Sequence, residues 1–245
     1  MEGVRAFPEL DGRRRAVRVA VRRALRQGKA PAARLLGVRG PHLDRALAEW
    51  KQLDAAPTRP AAERYNGVVW GALGVGTLDA AARRSLDRRV LVPSGLWGLL
   101  AATDPIPAYR LKMGARVAPM GGLAAWWRAA VTPLVDARAD GGWIIDLLPQ
   151  EHAAAIDPAL LTRARLLRVV LVEDGEGDAR RAVGHAGKSL KGRLARAILE
   201  SGAGDPADVA ALAVEGLRTG PEWVSEARGD VTMAFVREPV VTIAT

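Results

Sequence analysis

Residues 91–116 read LVPSGLWGLLAATDPIPAYRLKMGAR, and this stretch decides how the rest of the chain is understood. It starts as a buried strand, Val90 to Pro93. It then breaks into a loop that carries Ser94, Gly95, Trp97, Gly98, Asp104, Pro105 and Pro107. It closes in a basic run, Arg110, Lys112 and Arg116, spaced by apolar residues. A rigid strand feeding a Gly- and Pro-rich loop with hydroxyl, acid, aromatic and cationic groups is a common way to position chemistry. The competing reading is a long connector.

Outward from that stretch, helical and extended patterns alternate along the whole chain. On its N-terminal side, Arg13 to Gln27 has the period of an amphipathic helix. Val17, Val21, Ala24 and Leu25 share one face, with Arg14, Arg15, Arg18, Arg22, Arg23 and Arg26 over much of the rest. Gly28 is its stop. Two short helices follow within Pro31 to Trp50, on either side of Leu36-Gly37-Val38-Arg39-Gly40-Pro41. This Gly37/Gly40 turn resembles a helix-hairpin-helix element, whose backbone N–H groups hold a DNA phosphate without reading sequence. The usual Gly-Val-Gly is Gly-Val-Arg-Gly here, and an ordinary helix turn is the alternative. A helix from about Leu78 to Arg88 leads into the central strand.

On the C-terminal side, Leu123 to Val135 predicts a helix whose Trp126 and Trp127 cannot share one face. Trp143 to Leu148 predicts a buried strand with Asp146 near its end, and Leu166 to Glu173 a second. Asp174 to Asp178 is an acidic turn, with Arg180 to Val183 returning from it. The segment 184–193 leads into a helix through Glu200, and Gly202 stops it. Asp205-Pro206 caps and starts another helix. Val231 to Arg237 and Val240 to Ile243 finish as strands. With no repeat or low-complexity linker, this mixture predicts a single mixed α/β (α+β) domain over residues 1–245, with a helical N-terminal lobe at about residues 13–60.

The 245 residues are 49% hydrophobic, enough for a sizeable core. No apolar run reaches the roughly 20 residues that span a bilayer, and the first residues lack an apolar signal region, so no membrane partner is expected. The chain has no cysteine. That rules out disulfides, thiolate catalysis and Cys-ligated zinc, and fits a reducing cytoplasm. The net charge of +9 points to an anionic partner, DNA or another phosphate-bearing ligand. The arginine excess also has the look of a GC-rich coding sequence. The five lysines are therefore the more telling cations, and Lys112, Lys188 and Lys191 fall in two short motifs.

Gly184 to Arg193 has the composition of an anion site: glycines, Lys188, Lys191 and a helix start. It is not a P-loop, since the required first glycine is Ala182. His42, His152 and His185 lack paired-ligand spacing, so no metal and no cofactor are expected. Ser94 sits in no nucleophile elbow and has no evident base. Asp104, Asp146, His185 and Lys188 remain as catalytic candidates, against readings of the two acids as a turn residue and a strand-end ion-pair partner.

The run Ser94-Gly-Leu-Trp97-Gly98, followed by Asp104, Pro107 and Tyr109-Arg110-Leu-Lys112-Met113-Gly114, resembles the YaaA family of bacterial peroxide-stress proteins. Tyr65-x-Gly67-x-x-Trp70, Trp126/Trp127, Asp146-Leu147 and Lys188-x-x-Lys191-Gly192 add to it, in order over most of residues 7–200. The resemblance implies the family's compact "cantaloupe" domain with a basic central cleft. Mapped onto this chain, Arg110, Arg116, Lys188 and Lys191 line that cleft, with Ser94, Trp97, Tyr109 and Lys112 beside them. It also implies DNA binding that limits oxidative damage. The match departs from the family at its opening strand and cleft lysine, which precede the point where this chain starts. It departs again at Pro149 and His152, which stand for Ser and Tyr, and at Lys112, which stands for an acidic or small residue.

Two functions follow as expectations. One is a non-catalytic, sequence-tolerant DNA-binding protein of the peroxide response. The other is an enzyme acting through the same cleft on a small anionic or nucleobase-like substrate in a dedicated biosynthetic pathway.

Overall fold

A computed structural model describes residues 5–175, 180–184 and 186–238. In chain order the helices are α1 (Asp11–Leu25), α2 (Lys29–Leu36), α3 (Pro41–Lys51), α4 (Ala61–Arg64), α5 (Val68–Leu73), α6 (Ala80–Arg89), α7 (Leu123–Ala139), α8 (Gln150–Ala153), α9 (Ala186–Ser201) and α10 (Pro206–Ala210). The strands are β1 (Arg59–Pro60), β2 (Leu91–Ser94), β3 (Gly98–Ala101), β4 (Pro105–Ile106), β5 (Arg116–Val117), β6 (Gly121–Gly122), β7 (Trp143–Asp146), β8 (Arg165–Asp174), β9 (Arg180–Ala182), β10 (Glu222–Ser225) and β11 (Val231–Val236). The fold class is mixed α/β, as the sequence pattern predicts.

The chain divides into two units, each with its own core. The first holds the residues up to Tyr65, Asp87–Val135 and Leu148–Leu161. The second holds Asn66–Leu86, Asp136–Leu147 and the residues from Thr162 onward.

In the first unit, Val17, Ala20 and Val21 bury one face of α1. Arg14 lies one turn before Val17 on that same face, and it is buried too, at 2% exposure. The sequence reading placed it on the solvated side; the structure corrects this. Four of its five N–H donors are engaged. Nε donates to the Trp97 carbonyl at 2.9 Å, and Nη2 donates to the carbonyls of Leu99 (2.9 Å) and Ala6 (3.0 Å). Nη1 donates to Asp11 Oδ1 at 2.9 Å. A buried charge is tolerable when it is paired and hydrogen-bonded, as this one is by Asp11 and three carbonyls.

The central stretch also differs from its prediction. Gly98–Ala101 is not loop but the second strand of a hairpin, paired antiparallel to β2 with Leu91 opposite Ala101 and Ser94 opposite Gly98. Trp50, Trp97 and Trp127 are all buried in this unit. Gly98 has φ 75°, and a Cβ there would lie 2.6 Å from the Trp127 ring. A Cβ at Gly95 would lie 2.7 Å from the Lys112 carbonyl oxygen. The glycines of this motif thus make room for protein atoms. Trp127 is core, and its indole N–H donates to the Gly95 carbonyl at 2.9 Å. Trp126 is half-exposed under the Arg13 guanidinium, 4.8 Å from its centroid.

The second unit is a five-stranded sheet ordered β10-β11-β8-β7, with β9 also paired to β8. β8 runs parallel to both β7 and β11. Leu167, Val169 and Leu171 alternate along β8 and pack with Met233 and Phe235 of β11 and with Leu190, Leu194 and Ile198 of α9. β7 is half-buried rather than buried, because it ends the strand order and has one neighbour. α5 packs on α9 through Gly192, where a Cβ would come within 2.3 Å of the Val69 carbonyl oxygen. Asp205 caps α10 by accepting from the Asp208 N–H. The strand expected at Val240 to Ile243 lies outside the described residues, as does part of the acidic turn.

Candidate functional site

Residues expected around one cleft fall in both units. Ser94, Trp97, Tyr109, Arg110, Lys112 and Arg116 belong to the first, and Asp146, Lys188 and Lys191 to the second.

Ser94 and Trp97 are each 2% exposed, so both face protein. Ser94 Oγ accepts from the Trp97 backbone N–H at 3.0 Å and lies 2.6 Å from the Tyr109 hydroxyl. The Tyr109 hydroxyl in turn lies 2.7 Å from that of Tyr65. The result is a chain of three hydroxyls. Both tyrosine rings are partly exposed, but their hydroxyl ends are desolvated. Burial pushes the Tyr109 hydroxyl well above its ordinary range, and it raises Tyr65 as well. Trp97 meets Tyr109 edge-on at 6.2 Å, and the Arg5 guanidinium lies 4.2 Å from the Trp97 ring centroid. Tyr65 enters this cluster from 44 residues away. In the sequence it was only a supporting match, because nothing local to it signals a hydroxyl partner.

Asp104 is buried as well. Its Oδ1 accepts from the Ala6 N–H at 2.8 Å and its Oδ2 from the Ala101 N–H at 3.0 Å. Both carboxylate oxygens are thus occupied by backbone donors that tie down the turn after β3, which is the structural reading of this acid.

The cations gather elsewhere in the unit. α2 ends at Gly37 (φ 65°) and α3 begins after Gly40 (φ 53°), both conformations that favour glycine. Arg110 Nε donates to the Leu36 carbonyl at 3.2 Å, satisfying an end-group of α2. The Lys112 side chain lies along Gly37: a Cβ there would be 3.0 Å from its Nζ. Arg39, Arg110 and Lys112 are exposed. Two candidate cations and both hairpin glycines are therefore brought to one turn. Trp50 holds this arrangement from below, its indole N–H donating to the Arg110 carbonyl at 3.0 Å. Arg116 occupies a separate groove of about 510 Å³, together with Arg23 and Arg34.

In the second unit, Lys188 is exposed in the first turn of α9, and Lys191 is half-buried one turn further on. Desolvation lowers the basicity of Lys191, while the negative charge of Asp146, at the end of β7, opposes that shift. Gly187 and Gly192 of this motif are buried packing positions. His185 lies outside the described residues. Among the described residues no cluster of three or more His or carboxylate groups offers a metal site. No described helix is long and apolar enough to cross a membrane.

A family model described as "Peroxide stress protein YaaA" matches residues 14–222. The chain belongs to this family. Similar curated proteins carry the name UPF0246. One from Streptomyces coelicolor is 39% identical over 156 residues, 64% of this chain and 59% of the relative. One from a Ruegeria species is 34% identical over 157 residues, covering 62% of each. One from Laribacter hongkongensis is 32% identical over 198 residues, 78% of this chain and 75% of the relative. The first two are spanned over only about three fifths of their length. The matched region includes the hairpin–tyrosine cluster around Ser94, Trp97 and Tyr109.

Proposed function

We propose that this member of the YaaA family is a non-catalytic, sequence-tolerant DNA-binding protein of the peroxide response. In this reading it contacts phosphates at the Gly37–Gly40 turn. The supporting observation is the convergence of Arg110 and Lys112 on that turn, next to Arg39. The turn offers backbone at a helix–helix junction, and exposed cations flank it. Such contacts carry affinity without reading base sequence. The buried Trp97 has no part in stacking on bases, so the affinity in this reading is mainly electrostatic.

Binding of duplex DNA by the whole chain, measured against salt, tests this. With two to three phosphates contacted, log affinity falls against log salt with a slope of about −2 to −3. Lys112→Ala weakens binding evenly across sequences and reduces the slope by about 1. A flat slope, or no binding near physiological salt, sinks the proposal.

The hydroxyl chain of Ser94, Tyr109 and Tyr65 favours a second reading, an enzyme acting on a small anionic or nucleobase-like molecule. Tyr109→Phe separates the two: DNA affinity is unchanged under the first reading, and turnover is lost under the second.

A further inference from the structure

The groove that holds Arg116 has a character of its own. Arg23 of α1, Arg34 of α2 and Arg116 of β5 project into it, and no carboxylate is among its lining residues. Two other cations of α1 share an acid: Arg18 and Arg22 both pair with Asp54, at 3.1 and 2.7 Å. Near the start of α2, Lys29 pairs with Asp44 at 2.8 Å. In the groove, by contrast, the side chains of Arg34 and Arg116 make no hydrogen bond or ion pair among the described residues. Arg23 donates only to the Ala118 carbonyl, at 3.1 Å. Three like charges facing one concavity with no acid between them repel one another until an anion enters.

The remaining lining tells what kind of anion. Leu35 and Val117 give apolar wall, and Gln27 supplies an amide that both donates and accepts. At about 510 Å³ the groove has the size of a small-molecule site, in the rough range of 300–1,000 Å³. Guanidinium forks suit the oxygens of a phosphate monoester, and two or three of them neutralise its two charges. We propose that this groove is a binding site for a small phosphomonoester of about mononucleotide size. The phosphate sits among Arg23, Arg34 and Arg116, and the organic part lies against Leu35 and Val117. The site is distinct from the Gly37–Gly40 turn and does not depend on the DNA reading.

Calorimetric titration of the whole chain with adenosine monophosphate, inorganic phosphate and adenosine tests it. The expected result is saturable binding of the monophosphate at one site per chain, weaker binding of phosphate, and none of adenosine. Arg34→Gln and Arg116→Gln each weaken the monophosphate at least tenfold, and Lys112→Ala leaves it unchanged. Both arginines are exposed, so an unaltered thermal melt confirms that each variant is folded; Arg116→Lys, which keeps charge but loses the fork, gives an intermediate affinity. Adenosine binding as well as its monophosphate, absence of saturable binding, or equal weakening by Lys112→Ala overturns the groove as a separate site. Salt-dependent DNA binding that survives such a failure leaves the DNA reading standing, so the two proposals fail independently.

Discussion

Arg14 of α1 donates its Nε–H to the carbonyl oxygen of Trp97, 83 residues away, at 2.9 Å. With its bonds to Leu99 and Ala6 it ties the first helix to the β2–β3 hairpin and to the chain before α1. Replacing Arg14 with leucine leaves these carbonyls without their donor in a dry interior. Each such group costs about 1–3 kcal/mol. Arg14→Leu is therefore expected to lose about 3 kcal/mol in urea unfolding. Arg14→Lys recovers less than half, because an ammonium cannot reproduce the planar fork. A loss under 1 kcal/mol for the leucine variant contradicts this account.

Tyr65 and Tyr109 are the two tyrosines of the chain, so tyrosinate absorbance reports on them alone. Both are raised, chiefly by burial. The unfolded hydroxyls ionise near pH 10, and the folded ones only above it. The folded state therefore holds protons that the unfolded state releases, and stability falls as pH rises above about 10. It is unaffected by these groups below that value. Alkaline titration should show tyrosinate appearing together with loss of structure. A tyrosinate signal at half amplitude near pH 10 with intact circular dichroism rules this out.

Asp136 carries the opposite sign. Its carboxylate accepts from the N–H groups of Ala164 (2.8 Å), Thr162 and Arg163, and from the Thr162 hydroxyl (2.8 Å). These bonds, with the Ala164 N–H foremost, hold it well below the usual carboxylate range. Its contribution is present above the unfolded value of about 3.9 and is lost as pH falls through the folded one. Asp136→Asn should destabilise the protein at neutral pH by about 2 kcal/mol. It should also flatten the decline of stability between about pH 4 and pH 2. An unchanged acid limb in the variant assigns that decline to other groups.

Gly192 tests the packing of α9 on α5. A methyl group there meets the Val69 carbonyl oxygen at 2.3 Å and the Ala72 Cβ at 2.7 Å. Backbone cannot step aside as a flexible side chain does, so Gly192→Ala should cost about 3 kcal/mol of overpacking, against the small gain in helix propensity. Denaturant unfolding decides it, and a variant as stable as the parent refutes the close contact.

Much of the local structure was legible because it depends on neighbours in sequence. The period of Val17 and Val21, the Gly202 stop, the Asp205-Pro206 start and the apolar run of β8 all match observed elements. The Gly98–Ala101 strand escaped because its apolar run is short and follows two glycines, a pattern that suits loop as well as hairpin. The candidate site was legible in its residue types and not in its geometry. Ser94, Trp97 and Asp104 look like exposed loop chemistry, but they turn inward: backbone N–H groups bond Ser94 and Asp104, and the Trp97 ring is buried in the core.

The sequence by itself determined the mixed α/β class, the amphipathic faces and caps, and membership of the YaaA family, because periodicity, turn chemistry and motif order are properties of the linear chain. Only the tertiary structure decided that Arg14 is buried, that Tyr65 completes the hydroxyl chain with Ser94 and Tyr109, that Arg110 and Lys112 flank the Gly37–Gly40 turn, and that Arg23, Arg34 and Arg116 share a groove. Each of these joins residues distant in sequence. Whether a side chain faces water, carbonyls or another cation depends on which elements pack against it, and that packing minimises buried, unpaired polar groups over the whole unit rather than within any one segment.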